Sequence, residues 1–145
     1  MGVMPPSRLE GEMAMMADAV DRQFDLLLAI PDDQRARVYQ AMRHSAIGGG
    51  KRLRPLLVKA SCDLFNIGFD SAVRTGLAVE CIHVYSLVHD DLPAMDNDDM
   101  RRGKPTVHIA YDEATAILAG DCLHDLAFQL ANIARDIAEI GRAHV

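Results

Sequence analysis

The chain has 145 residues, half of them hydrophobic and only 5% aromatic, and its formal net charge is −6. This length suffices for one domain with a hydrophobic core, and the acidic balance argues against a nucleic-acid partner. No run of about 18 apolar residues occurs, so the sequence predicts no membrane span. Met1–Gly11 lacks the apolar core of a signal peptide.

The three cysteines, Cys62, Cys81 and Cys122, are too far apart for a zinc site. Their odd number and wide spacing predict reduced thiols and a cytoplasmic protein. We expect them to serve as small apolar side chains in the core.

Apolar residues recur every three or four positions in the first third of the chain, which is typical of amphipathic helices. The first helix is expected from about Leu9 to Ile30, where Pro31 interrupts it. The second is expected from about Asp33 to Ala46, and the three glycines at 48–50 end it.

Three more helices are predicted further along. The third begins at Pro55, which suits a first turn, and runs to about Phe65. The fourth, about Ser71 to Asp91, is the longest and is apolar on all sides, which indicates a central helix. The fifth runs from about Thr115 to Asp136. No alternating strand pattern or domain linker is evident, so the predicted fold class is all-α, a helical bundle in a single domain.

An acidic segment follows the central helix. Five aspartates fall within residues 90–99, and three basic residues follow at once. Asp90, Asp91 and Asp96 offer oxygens to a hard cation such as Mg²⁺. The basic residues suit phosphate oxygens; they are Arg101, Arg102 and Lys104. The combination predicts a site for a diphosphate held through a divalent cation.

A second basic segment, Gly50 to Pro55, opens the third helix with Lys51, Arg52 and Arg54. A helix N-terminus with added positive charge attracts anions, although a basic loop that only solubilises a turn gives the same pattern. His83 lies on the apolar central helix, where the position by itself favours a buried structural histidine over a ligand. The remaining histidines are expected to be structural; they are His44, His89, His108, His124 and His144.

Together these segments resemble the trans-isoprenyl diphosphate synthases, the polyprenyl synthetase family, in particular its bacterial farnesyl-type members. Asp90-Asp91-Leu92-Pro93-Ala94-Met95-Asp96 is similar to the first aspartate-rich motif of the family, and Arg101 to Thr106 continues it. Residues 50–55 and Ala119-Gly120-Asp121 resemble further family motifs. The similarity spans nearly all of residues 20–139 and implies the helical bundle of the isoprenoid synthases.

The resemblance implies a role for each candidate residue. Asp90 and Asp96 would ligate Mg²⁺, with Asp91 in or near the shell. Arg101 would hold the allylic diphosphate. Isopentenyl diphosphate would be bound by Lys51, Arg54, His83 and Arg102. The implied reaction is head-to-tail condensation of these two substrates after ionisation of the allylic one.

The resemblance also bears on product length. In the family the residue five before the first aspartate lies under the growing prenyl tail, and here it is Tyr85, followed by Ser86. A bulky ring there implies that growth stops at fifteen carbons. A geranylgeranyl diphosphate synthase is the alternative for the product.

The chain departs from the family pattern in its second part. Family members are roughly twice as long, and their second aspartate-rich motif has no counterpart here. We therefore interpret residues 1–139 as the N-terminal part of one synthase domain and residues 140–145 as a non-native tail. We expect this chain to be inactive by itself, and a full-length member to form a homodimer. The second hypothesis is a non-catalytic subunit that modulates a full-length synthase.

Overall fold

The computed structural model describes the backbone of residues 7–143 and the side chains up to Ile133. It contains α1 (Arg8–Leu27), α2 (Ala36–Ala46), α3 (Leu53–Leu64), α4 (Phe69–Asp90), β1 (Met100–Arg101), β2 (Lys104–Pro105), α5 (Val107–Ala110) and α6 (Glu113–Ala143). Residues 144 and 145 of the expected tail, and the side chains of 140–143, lie outside the described residues.

The all-α prediction is confirmed, with one local correction. The sequence indicated no strands, yet Met100–Arg101 and Lys104–Pro105 form an antiparallel pair. Its turn residues, Arg102 and Gly103, both have positive φ (51° and 76°), which matches the twist of a tight hairpin. Two-residue strands are too short to produce a visible alternation. No helix within residues 7–143 is long and apolar enough to cross a membrane.

The bundle is arranged around α4, as its all-round apolar character predicts. This helix lies between α3 and α6 and buries residues on most of its circumference. The core includes Phe24, Met42, Leu77, Val84 and Leu123. At the other end of the chain, α1 starts with a capping box in which Ser7 and Glu10 satisfy each other's backbone amides.

Helix α3 presents to the core a face that its apolar residues do not mark. The apolar Leu57 and Leu64 are 67% and 80% exposed, whereas Pro55 and Lys59 are buried. Pro55 packs against Gly76 of α4, where a Cβ would come within 3.0 Å of the proline Cα. Glu12 and Asp63 lie 2.9 and 2.7 Å from Lys59 Nζ and compensate its charge. A close backbone approach and paired charges therefore determine which face is buried.

The cysteines follow the expectation only in part. All three are free thiols. Cys81 is buried on α4, and burial raises the pKa of its thiol to about 12. Cys122 is exposed on α6 and does not contribute to the core.

Candidate diphosphate and metal site

Four of the predicted site residues line one cleft of about 430 Å³: Lys51, Arg54, His83 and Arg102. Lys51 and Arg54 flank the start of α3, His83 comes from the middle of α4, and Arg102 comes from the hairpin turn. His83 is half-buried, and its pKa is lowered by that burial and then by the Arg54 guanidinium. Three cations and an imidazole around one cavity form a strong anion-binding arrangement.

The hairpin reaches the cleft because it docks on the glycine loop that follows α2. His44 Nε2 lies 2.8 Å from the carbonyl oxygen of Pro105. The Arg102 guanidinium lies against Gly49 and Gly50, so close that a Cβ at either position would come within 2.9 Å of Nη1. The glycines were predicted to end a helix; they also leave space for an arginine 52 positions later.

Asp91 is bonded to Arg101. The Asp91 side chain is 5% exposed, and Arg101 donates to its carboxylate through Nε (3.0 Å to Oδ2) and Nη2 (2.7 Å to Oδ1). The same contact raises the pKa of Arg101. Asp91 thus fixes the guanidinium in a bidentate geometry, and both residues line a neighbouring cavity that shares Arg102 with the cleft.

The acidic loop folds back on the end of α4. The Asp96 amide donates to the Asp90 carbonyl at 2.8 Å, and the Asp98 amide donates to the Asp91 carbonyl at 3.1 Å. These bonds bring the backbones of Asp90 and Asp96 together. Neither side chain forms an ion pair within the part of the chain whose side chains are described.

The donor set suits Mg²⁺ rather than a cation that requires a full protein cage. Within residues 7–133, no three His, Cys, Asp or Glu side chains come together as a ligand group. Mg²⁺ is commonly held by one or two carboxylates, with water and phosphate oxygens supplying its remaining ligands. Asp90 and Asp96 offer that number of carboxylates, since Asp91 is engaged by Arg101.

Tyr85 lies between α4 and α6 rather than in the basic cleft. Its ring is half-buried and stands edge-on to His89 (5.5 Å between centroids) and to His124 of α6 (5.0 Å). Phe128 continues this row at 5.0 Å from His124. The neighbouring Ser86 donates its hydroxyl to the His83 carbonyl at 2.8 Å, a contact within α4.

Sequence reasoning missed two buried charges at the cleft. Arg52 and Glu80 are each 3% exposed and form an ion pair at 2.8 Å. The sequence predicts Arg52 only as one of three basic residues at an anion-attracting helix start, and it indicates no role for Glu80. One signal was available, because an acid on a helix that is apolar all round requires a buried partner. The identity of that partner, 28 residues earlier in the chain, could not be read from the sequence.

Residues 35–142 match the model of the polyprenyl synthetase family. The chain belongs to this family. Among curated relatives, the farnesyl diphosphate synthase of Escherichia coli K12 is 45% identical over 135 residues, which cover 93% of this chain and 44% of the relative. The geranylgeranyl diphosphate synthase of Cyanophora paradoxa is 52% identical over 101 residues, or 70% of this chain and 34% of the relative.

The fold comparison supports the same membership. A crystal structure of an FPP/GFPP synthase from Zymomonas mobilis has 59% sequence identity and a TM-score of 0.83, over 84% of this chain and 44% of that one. This polyprenyl synthetase family chain therefore spans less than half the length of the relatives it matches.

Proposed function

We propose that this chain supplies the isopentenyl diphosphate site and the first metal-binding loop of a prenyltransferase. The observation that carries the proposal is the convergence of Lys51, Arg54, His83 and Arg102 on one cleft. The cleft lies beside an acidic loop whose Asp91 fixes Arg101. The reaction is head-to-tail condensation of isopentenyl diphosphate with an allylic diphosphate, and a full-length member would act as a cytoplasmic homodimer.

In this proposal the cleft cations hold the diphosphate of isopentenyl diphosphate, and His83 contributes a further hydrogen bond. Arg101 stabilises the allylic diphosphate as negative charge develops on it. Its orientation by Asp91 avoids reorganisation during the reaction, which is how preorganised charge lowers a barrier. Asp90 and Asp96 would hold Mg²⁺, which supplies further neutralisation of that leaving group.

The proposed product is farnesyl diphosphate, with geranylgeranyl diphosphate as the alternative, since relatives of both kinds match this chain. Support for the shorter product comes from Tyr85. Its ring packs edge-on against His124 of α6, which in turn contacts Phe128, and it lies between α4 and α6. A floor of that size would stop a growing tail.

A binding measurement on the 145-residue chain tests the site. Isothermal titration with inorganic pyrophosphate, with and without Mg²⁺, should show binding that Lys51→Ala weakens by at least about tenfold, as expected for loss of a charged hydrogen bond of about 1.5–3 kcal/mol. Asp90→Asn should abolish the gain in pyrophosphate affinity that Mg²⁺ produces and leave the affinity without Mg²⁺ unchanged. Equal affinities for wild type and Lys51→Ala would contradict the proposal.

Catalysis is tested in a chimera in which this chain replaces the 135 matched residues of the E. coli farnesyl diphosphate synthase. Prenyl transfer by the chimera, lost in its Lys51→Ala variant, would support the enzyme. A folded but inactive chimera, together with co-purification of this chain with a full-length synthase, would favour the modulating subunit.

A further inference from the structure

Arg52 and Glu80 form a buried ion pair at the wall of the basic cleft. Neither side chain is among those proposed to bind a diphosphate. Arg52 lies between two exposed cations, Lys51 and Arg54, yet its own side chain is turned inward and is 2% exposed. It donates to Glu80 Oε1 (2.8 Å), to Asp21 Oδ1 (2.6 Å) and to the Ala46 carbonyl. Its guanidinium also lies over the Phe24 ring, 5.5 Å from the centroid.

The backbone at Arg52 is in the left-handed region, with φ 50° and ψ 38°. This conformation is unfavourable for a residue with a Cβ, and no side chain caps the helix at this point. The inward guanidinium, bonded to α1, to the end of α2 and to α4, holds the residue in that conformation. Because the chain turns there, Lys51 and Arg54 come to flank one cleft.

Stability alone is a poor reason for this arrangement. A buried ion pair often stabilises a protein no more than well-packed apolar residues would. Glu80 also lowers the stability of the folded chain, because its Oε2 is buried without a hydrogen-bond partner in the described part of the chain. Glu80 lies one helical turn before His83 on α4 and lines the cleft itself, so the pair joins the α3 start to the wall that carries His83.

We infer that Arg52, Glu80 and Asp21 are positioning residues that fix Lys51, Arg54 and His83 in diphosphate-binding geometry. The inference rests on the proposed function, since it concerns the same cleft. For a variant without the Glu80 charge, it predicts a change in anion affinity opposite to the one that charge alone predicts. Removing the negative charge of Glu80 from the cleft wall should strengthen anion binding if only charge matters. If Glu80 positions the loop, the same change weakens binding.

The test compares two isosteric variants of the 145-residue chain. Glu80→Gln removes the buried partner of Arg52, whereas Glu12→Gln removes a carboxylate 2.9 Å from Lys59, another buried cation on α3 that does not line the cleft. Both change the net charge equally. We expect Glu80→Gln to weaken pyrophosphate binding about tenfold, as loss of outer-shell partners does at other sites, and Glu12→Gln to leave it unchanged. Equal or tighter binding by Glu80→Gln overturns the inference.

Circular dichroism at the titration temperature verifies that each variant is folded. If Glu80→Gln does not fold, Asp21→Asn is the milder variant, because that carboxyl is partly exposed; the same directions are expected for it. If the wild type binds no pyrophosphate, the proposed function fails, and backbone amide NMR shifts of Gly50, Lys51 and Leu53 decide the inference. Shifts that move in Glu80→Gln but not in Glu12→Gln support positioning, and unmoved shifts refute it.

Discussion

Glycine at position 50 suits the cleft for two independent reasons. Its φ is 85°, a conformation that costs a residue with a Cβ about 1 kcal/mol or more. It also lies directly against Arg102, whose Nη1 would be 2.6 Å from an added Cβ. The first reason concerns the loop alone, whereas the second concerns the geometry of the anion site.

We predict that Gly50→Ala weakens pyrophosphate binding as well as stability, because the new methyl group displaces the Arg102 guanidinium. Gly48→Ala is the matched control: its φ is also positive, 73°, but the nearest atom to an added Cβ is Lys104 Nζ at 3.9 Å. Both variants should lose about 1–2 kcal/mol in urea unfolding, and only Gly50→Ala should lose affinity in calorimetry. Equal affinities would show that Arg102 adapts without cost.

The sequence predicted the residue types of the site better than their contacts. The roles of Lys51, Arg54 and His83 depended on motifs within short segments. The contacts of Arg52 with Glu80 and of Arg102 with Gly50 join segments 28 and 52 positions apart. No local spacing rule encodes such contacts.

At the scale of elements, the bounds of the long helices were predicted to within about three residues, except that α6 continues to Ala143, beyond the expected end at Asp136. The short elements were missed. The all-round apolar segment gave α4, and four segments with periodic apolar residues gave α1, α2, α3 and α6, since a buried face repeats over several turns. The four-residue α5 and the hairpin have too few residues for any periodicity. In α3, apolar character does not mark the buried face, because Lys59 is buried beside its acidic partners while Leu57 and Leu64 are exposed.

The start of α6 depends on Asp112. Its carboxylate accepts from the Thr115 amide at 2.7 Å and from Arg37 at 2.6 Å. The amide first, and then Arg37, lower the pKa of Asp112 to about 2 from an ordinary value of 3.8. Because the folded pKa lies below the unfolded one, this stabilisation is complete above pH 3.8 and is lost as the pH falls towards 2.

We therefore predict that Asp112→Asn lowers the urea midpoint at neutral pH and that its difference from the wild type disappears between about pH 4 and pH 2. Urea unfolding at several pH values measures this difference. Asp32→Asn, which removes an exposed aspartate without an ion pair in the described residues, should show no such trend. A difference that persists at pH 2 would mean that the capping charge is not responsible.

Tyr85 lies at the contact between α4 and α6, and we predict that its ring limits the length of the product. Tyr85→Ala in the chimera should shift the product from fifteen to twenty or more carbons, because truncation opens space beside His124. Chromatography of the dephosphorylated products provides the measurement. Tyr111→Ala removes a ring that packs instead on His44 and Arg37 and should leave the product unchanged. A fifteen-carbon product from Tyr85→Ala would exclude this residue as the floor.

At the scale of the whole molecule, the candidate site is open to solvent. Lys51, Arg54, Asp96 and Arg102 are all exposed. A second open groove of about 690 Å³, between α1, α4 and α6, is lined by apolar residues such as Met15 and Phe69 and by charged ones such as Asp18 and Arg74. These surfaces belong to a chain that spans 44% of the E. coli relative.

A site that is open to water can bind a diphosphate, but it does not protect the allylic cation that forms when the diphosphate leaves. Prenyl transfer requires that water be excluded from the allylic cation. We predict that the 145-residue chain binds pyrophosphate yet forms no farnesyl diphosphate from isopentenyl and geranyl diphosphates with Mg²⁺. Any residual ionisation should yield geraniol and its isomers, because water would capture the cation. Radiolabelled substrates and chromatography distinguish the two products. Sustained formation of farnesyl diphosphate by the purified chain would show instead that these residues enclose the reaction unaided.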